Sequence, residues 1–342
     1  FVTMKSVKKY AAESCRKPLR RWAKGSGGKG GNTFMSNNWK ERRSRALKQM
    51  RNDWLLYLLL VPVLAWYIIF CYLPMAGVTL AFRDYSYKGG LWGSEWIGLA
   101  NFTKMFSDPL FFRAVKNTII FSLGRIAFQM PCAVLLAIAL NELRLKWAKK
   151  TVQTIVTFPH FISWVVLAGM LMNIFGSTGT VNQILSALGV SNIAPITSSK
   201  AFRAFIWISG IWKEVGWNSI IYLAAITSID PGLYEAAAVD GAGRLRQTWS
   251  ITLPCIINTI TFIIIMRASS IMGSDTEQVL MFYSPIVYGV GDVLGTFVYR
   301  EGIENAKFSY TTAVGLFGSV VGMIMMLGAN YVSRKYTDKG IW

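Results

Sequence analysis

The sequence predicts an all-α polytopic membrane protein with six transmembrane helices. Three observations carry that expectation. Of 342 residues, 53% are hydrophobic and 15% charged, with a mean hydropathy of +0.38, too apolar for an ordinary soluble domain. Six runs of about 20 apolar residues recur along the chain, the length that the hydrocarbon thickness of a bilayer demands. Basic residues gather in the segments between alternate runs, which sets a sidedness.

The first 50 residues form a basic arm. Residues 1–52 hold 15 Lys/Arg against 2 Asp/Glu. Beside a first span, such an arm reads as a cytoplasmic, headgroup-facing segment rather than a nucleic-acid binder. Its piece KGSGGKGGNT (24–33) is linker-like. It lacks the Gly-Lys-Ser/Thr and the preceding strand of a nucleotide-binding loop. No short apolar core with a small-residue cleavage site follows the arm, so a cleavable signal is not expected.

The transmembrane domain is placed at 51–332, with spans expected at Trp54–Ala76, Asn117–Leu140, Thr154–Phe175, Phe202–Ile226, Pro254–Met272 and Thr312–Tyr331. Several contain Pro or Gly, which neighbouring helices and water can accommodate. The loop 141–151 carries Arg144, Lys146, Lys149 and Lys150 against Glu142, and the tail 333–342 carries Arg334, Lys335 and Lys339. With six spans, arm, loop and tail fall on one side, so both termini are expected in the cytoplasm. Segments 81–116, 176–200 and 273–311 then lie outside. Within the second of these, VNQILSALG has apolar residues at helical spacing, and a short interfacial helix is expected. Gly315, Gly318 and Gly322 in the last span read as a close-packing face.

The chain offers little chemistry of its own. Cys15, Cys71, Cys132 and Cys255 are scattered, without metal-like spacing, and His160 is the only histidine. No metal centre, resident cofactor or nucleophile–base pair is expected, so the chain is not read as an enzyme. His160, beside Pro159 in an apolar segment, reads as a hydrogen-bonded group within the membrane.

Between spans four and five lies YEAAAVDGAGRLRQTWSITLP (234–254), polar and glycine-broken. Asp230-Pro231 is a helix start, an N-cap followed by Pro at the first helical position. Leu233 to Ala238 suit a short helix, and Gly241 permits a sharp turn. A second piece follows, with Leu245, Trp249 and Ile251 expected on one apolar side, and Pro254 opening the fifth span. Two short helices at an angle, on the cytoplasmic side, make a knob suited to a groove in a partner. An amphipathic loop at headgroup level is the alternative.

Glu235-Ala236-Ala237, three residues, Gly241, nine residues and Ile251-x-Leu253-Pro254 resemble the EAA loop of binding-protein-dependent ABC importers. Asp240 and Ala242 fit the fuller pattern, while Trp249 stands where Phe is commoner. The pieces WKEVGWNSIIYLAAI (212–226) and YSPIVYGVGDVLGTFVYREG (283–302) and the C-terminal LGANYVSRKYTDKGIW are similar to the larger sugar-permease subunits. The similarity is strongest to the branch importing oligosaccharides and polysaccharide fragments, alginate importers included. The resemblance covers roughly residues 50–342.

The resemblance implies a type I ABC importer permease fold in the plasma or inner membrane. Its coupling loop at 230–254 would seat in a cleft of an ABC ATPase dimer. Carried over, Glu235 would pair with a basic residue of the ATPase, Ala236 and Ala237 would allow close approach, and Gly241 would form the bend, with Asp240 and Ala242 beside it also counted as coupling residues. ATP and Mg would be bound by that partner, since this chain has no Walker motif. A second permease, expected to be a different chain, an extracytoplasmic binding protein and an oligosaccharide substrate complete the assembly.

Polar groups within the spans are the candidates for the sugar path. Lys213, Glu214, Trp217 and Asn218 lie mid-span, and Arg267, Ser270, Ser274 and Asp275 lie late in the fifth. Aromatic stacking with polar groups suits a glycan. Glu214 and Trp217 also resemble positions near the sugar pocket of the related maltose permease, and the late part of span five falls in the matching region. The competing reading is that Lys213, Glu214, Arg267 and Asp275 merely pair to hold spans together. A stand-alone secondary transporter or channel, using such charges as a relay, is the functional alternative. It would have no need of a cytosolic docking knob.

Overall fold

The computed structural model describes residues 53–191, 193–273 and 276–337. The basic arm at 1–50, Ser274, Asp275 and the last five residues of the tail lie outside the described residues.

The fold is helical apart from one two-residue antiparallel pairing. In chain order it runs α1 (Trp54–Phe82), β1 (Arg83–Asp84), β2 (Glu95–Trp96), α2 (Ala100–Ser107) and α3 (Pro109–Glu142). Next come α4 (Lys146–Thr157), α5 (Trp164–Phe175), α6 (Thr180–Ala187), α7 (Phe202–Thr227) and α8 (Pro231–Val239). The last are α9 (Arg244–Ser269), α10 (Thr276–Phe282), α11 (Leu294–Tyr299) and α12 (Phe308–Thr337). Five stretches among the described residues are long and apolar enough to cross a membrane: α1, α3, residues 164–187, α9 and residues 308–335. The fourth expected span, α7, which is not among these five, is a 26-residue helix carrying Arg203, Lys213 and Glu214. It lies at the centre of the bundle, packed against the second half of α3 and against α4 and α9. That position is where charges at membrane depth find partners.

Prolines shape the spans through one recurring device. Pro74, Pro131 and Pro254 each stand two residues beyond a π-helical turn: Ile68–Tyr72 in α1, Arg125–Gln129 in α3 and Thr248–Thr252 in α9. A proline supplies no N–H to the carbonyl one turn earlier, and its ring crowds that carbonyl. Widening the preceding turn to i→i+5 absorbs the misfit without ending the helix. Pro254 therefore lies inside α9 and does not open it, contrary to the expected Pro254–Met272 boundary.

The third expected span, Thr154–Phe175, is broken. Residues 146–157 form α4, Phe158–Phe161 form a 3₁₀ turn at Pro159, and α5 restarts with Ser163 as N-cap, its Oγ accepting from Val166 N. VNQILSALG is helical as expected, in α6.

Small residues set the close approaches. Ala133, Ala137 and Leu140 of α3 pack against Tyr222, Leu223 and Ile226 of α7 and Ile256 of α9. A Cβ on Gly216 would overlap the Val156 carbonyl of α4, and one on Gly322 would press on the Ser269 carbonyl of α9. Gly318 approaches Leu294 and Met272, but Gly315 meets nothing and opens on a void of about 300 Å³, so the expected packing face covers only part of that stripe. At the end of the bundle away from α8, Asp292 is fully buried. It accepts from Arg300 at 2.8 Å, Thr296 at 2.9 Å and Tyr283 at 3.0 Å. Asn117 of α3 donates to the Asp292 carbonyl, and Arg203 of α7 donates to Asn117 Oδ1 at 2.8 Å. This hub ties the segment 276–304 across the ends of α3 and α7. By contrast α1 is apolar all round, touches the bundle mainly through its 3₁₀ end against α12, and leaves its side chains exposed.

Candidate functional site

The knob between α7 and α9 is built as its local sequence dictates. Asp230 caps α8 by accepting from Gly232 N at 2.9 Å, and Pro231 takes the first helical position. At the other end Gly241 adopts φ +75°. Its N–H donates to Ala238 O at 3.0 Å, and Ala242 N–H donates to Ala237 O at 2.9 Å. These two bonds make a Schellman motif, and its left-handed residue is the reason for a glycine at 241. The chain turns sharply there and re-enters helix at Arg244.

Two contacts brace the knob against the start of α9, and a third ties that start to α3. The hydroxyls of Tyr234 and Thr252 bond at 2.9 Å, Gln247 donates to Ala242 O at 2.9 Å, and Arg244 pairs with Glu142 at the end of α3. Ala237 is buried by this docking, so of the two alanines expected at a partner's surface only Ala236 is exposed, joined by Ala238. Glu235 and Asp240 are exposed, and Val239 is 89% exposed. Among the described residues Glu235 has no ion-pair partner. The apolar side expected from Leu245, Trp249 and Ile251 does not form: Leu245 and Trp249 are exposed together, while Ile251 is buried on the opposite side of the helix. The 3.6-residue period separates position 251 from the 245/249 pair.

The mid-span residues divide into two groups. Lys213 is 5% exposed. Its ammonium donates to the His160 carbonyl at 2.7 Å and lies 3.4 Å from Glu214 Oε1. Glu214 Oε2 accepts from His160 Nδ1 at 2.8 Å. The His160 ring stacks on Trp217, centroids 4.4 Å apart and planes 4° from parallel. His160, the hydrogen-bonded intramembrane group expected from the sequence, thus stands at the break in the third span. The break frees backbone groups that need partners, and Lys213 satisfies one of them.

The second group lines a cavity of about 260 Å³ between α3, α7 and the end of α9. Asn218 and Arg267 are in its wall, and Arg267 Nη2 donates to Asn218 Oδ1 at 3.4 Å. Ser270 lies there too, with three residues absent from the expected set: Ser122, Arg125 and Gln129. The π-turn of α3 carries Arg125 and Gln129 at its two ends. An arginine and a glutamine amid an apolar run were the available signal, because such groups in a span generally face a cavity. Lys213, Glu214 and Trp217 are not in this wall.

Residues 129–338 match the family described as "Binding-protein-dependent transport system inner membrane component". The chain belongs to this family. It is therefore an inner-membrane permease component of a binding-protein-dependent transporter, a transport family and not an enzyme family. Among its curated relatives is Protein LplB of Bacillus subtilis (strain 168), 42% identical over 293 residues, which are 85% of this chain and 92% of that protein. A second is the polygalacturonan/rhamnogalacturonan transport system permease protein YteP of the same organism, 39% identical over 306 residues, 89% of this chain and 95% of that one. Among solved structures the chain is similar to one titled "Crystal structure of bacterial alginate ABC transporter in complex with alginate pentasaccharide-bound periplasmic protein". The TM-score is 0.78 and the identity 41%, covering 87% of this chain and all of that one. The family match includes the knob and the cavity wall from Gln129 onward, while Ser122 and Arg125 precede it.

Proposed function

We propose that this chain is one permease of an ABC importer that moves an oligosaccharide or polysaccharide fragment across the membrane, with ATP hydrolysed in a separate subunit. The observation that carries the reading is the knob. Its exposed face of Glu235, Ala236, Ala238, Val239 and Asp240 is held rigidly by the Asp230 cap, the Gly241 turn and the Tyr234–Thr252 bond. A rigid, exposed element at the end of two spans is what transmission of force between bodies requires. A carrier working alone has no use for it.

In this reading both termini and the knob are cytoplasmic. An ATPase dimer binds ATP and Mg and closes. Glu235 pairs with a basic residue of the ATPase cleft, the knob moves with it, and α7 and α9, which flank the knob, carry the motion to the cavity. A loaded binding protein delivers sugar at the opposite end of the bundle. At about 260 Å³ the cavity is smaller than most small-molecule sites, which fits a path shared with a second permease. The sugar reading draws further support from the relatives named for polygalacturonan, rhamnogalacturonan and alginate transport.

Affinity purification of the chain from its native membrane tests the proposal. A second permease and an ATP-binding subunit are expected to accompany it, and Glu235→Lys is expected to release the ATPase while keeping the second permease. Purification of the chain alone, or unchanged ATPase recovery with the variant, would contradict it.

A further inference from the structure

We infer that a groove between α3 and α9 holds an anionic phospholipid of the cytoplasmic leaflet, with its acyl chains along the two helices and its phosphate at Arg244; the choice of leaflet rests on the orientation proposed above. The groove measures about 780 Å³. It runs from Met130, which also lines the mid-membrane cavity, to Glu142 at the end of α3. Between those two residues the helix rises about 18 Å, and one leaflet supplies about half of the roughly 30 Å hydrocarbon core. The groove therefore spans one leaflet, on the side of the knob. Val134, Leu135 and Ile138 line it from α3, and Leu245, Trp249 and Leu253 from α9. Its polar lining groups, Glu142, Arg244 and Thr248, all stand at the knob end.

A neighbouring helix packs best on small residues, which let two backbones approach. Among the described residues lining this groove there is no glycine, alanine or serine, and Leu135, Leu245 and Trp249 stand exposed along it. Fluid acyl chains follow such a ridged apolar wall, whereas a rigid helix would be held off by it. The knob end carries the charge for a phosphate. Arg244 pairs with Glu142, and both are about half exposed, so the five-donor guanidinium has N–H groups left for a second anion. Arg144 and Lys146, both exposed, follow Glu142 by two and four residues, which keeps their backbones within about 7 and 14 Å of it. Three cations against one carboxylate at the face of a leaflet attract an anionic headgroup. Trp249 sits about one turn deeper than Arg244, at the boundary that indole rings favour.

The test uses the complete purified transporter in nanodiscs that contain a trace of phosphatidylglycerol or of phosphatidylcholine, each with a photoreactive acyl chain. Crosslinked peptides are mapped by mass spectrometry. Phosphatidylglycerol is expected to label the peptides holding Met130–Ile138 or Leu245–Ile260 about tenfold more than phosphatidylcholine, the effect of one to two basic residues beside an anionic headgroup. Arg244→Gln combined with Lys146→Gln is expected to bring the two lipids level. Leu135→Trp, at an exposed lining position, keeps every charge and is expected to lower labelling by both lipids severalfold. Recovery of the second permease with each variant shows that it has assembled. Equal labelling of the groove by both lipids in the wild type, or a preference that survives the double substitution, overturns the proposal. So does a groove free of lipid label and crosslinked instead to another membrane-spanning chain, which leaves the importer reading standing. The expected lipid preference on a chain that purifies without an ATPase contradicts the importer reading alone.

Discussion

Lys213→Met separates a load-carrying role for this lysine from a sugar-binding one. The ammonium is nearly buried, donates to the His160 carbonyl at 2.7 Å and sits 3.4 Å from Glu214. At an effective dielectric of about 20, unit charges at that separation attract by about 5 kcal/mol, part of which desolvation offsets. Removing one member of a buried pair typically costs about 3–5 kcal/mol, because the other charge stays behind unpaired. Glu214 retains its bond from His160 and is partly exposed, so the lower end, about 3 kcal/mol, is expected. The measurement is equilibrium unfolding of the purified protein in mixed micelles, read by tryptophan fluorescence. Lys213→Met with Glu214→Gln is expected to recover part of the loss, since no lone charge then remains. A single variant as stable as wild type, with sugar binding lost, would refute the reasoning and return Lys213 to the substrate path.

Gly216→Ala is expected to disrupt packing of α7 on α4, because its Cβ would meet the Val156 carbonyl, backbone that cannot rotate aside. Size-exclusion chromatography should show reduced recovery of folded protein. Asp230→Ala removes the cap of α8, a loss of about 1 kcal/mol. Amide exchange within Pro231–Val239 is then expected to quicken by about fivefold while the spans are unaffected.

What the sequence made legible was local in origin. The cap at Asp230, the proline at 231 and the left-handed glycine at 241 are written within 12 residues, and the structure forms each of them. The spans were visible as apolar runs because the bilayer imposes one length on all of them. Their breaks were not: Pro159 ends a helix, whereas Pro74, Pro131 and Pro254 are absorbed by π-turns. The difference rests partly on neighbours, since Lys213, 53 residues from His160, satisfies the carbonyl that the break frees. The candidate cavity was half legible for the same reason. Asn218 and Arg267 stood out as polar groups in α7 and α9. Their division from the Lys213–Glu214–His160 cluster depends on which helix face meets α4, a tertiary fact. Ser274 and Asp275 lie outside the described residues.

In the proposed importer the 235–242 knob seats in an ATPase. Val239 is the most direct reporter, 89% exposed at the tip of α8. Val239→Cys, crosslinked in native membranes with a short bifunctional reagent and analysed by mass spectrometry, is predicted to yield an adduct with an ATP-binding subunit. An adduct confined to lipid or to another membrane-spanning chain would contradict that seating.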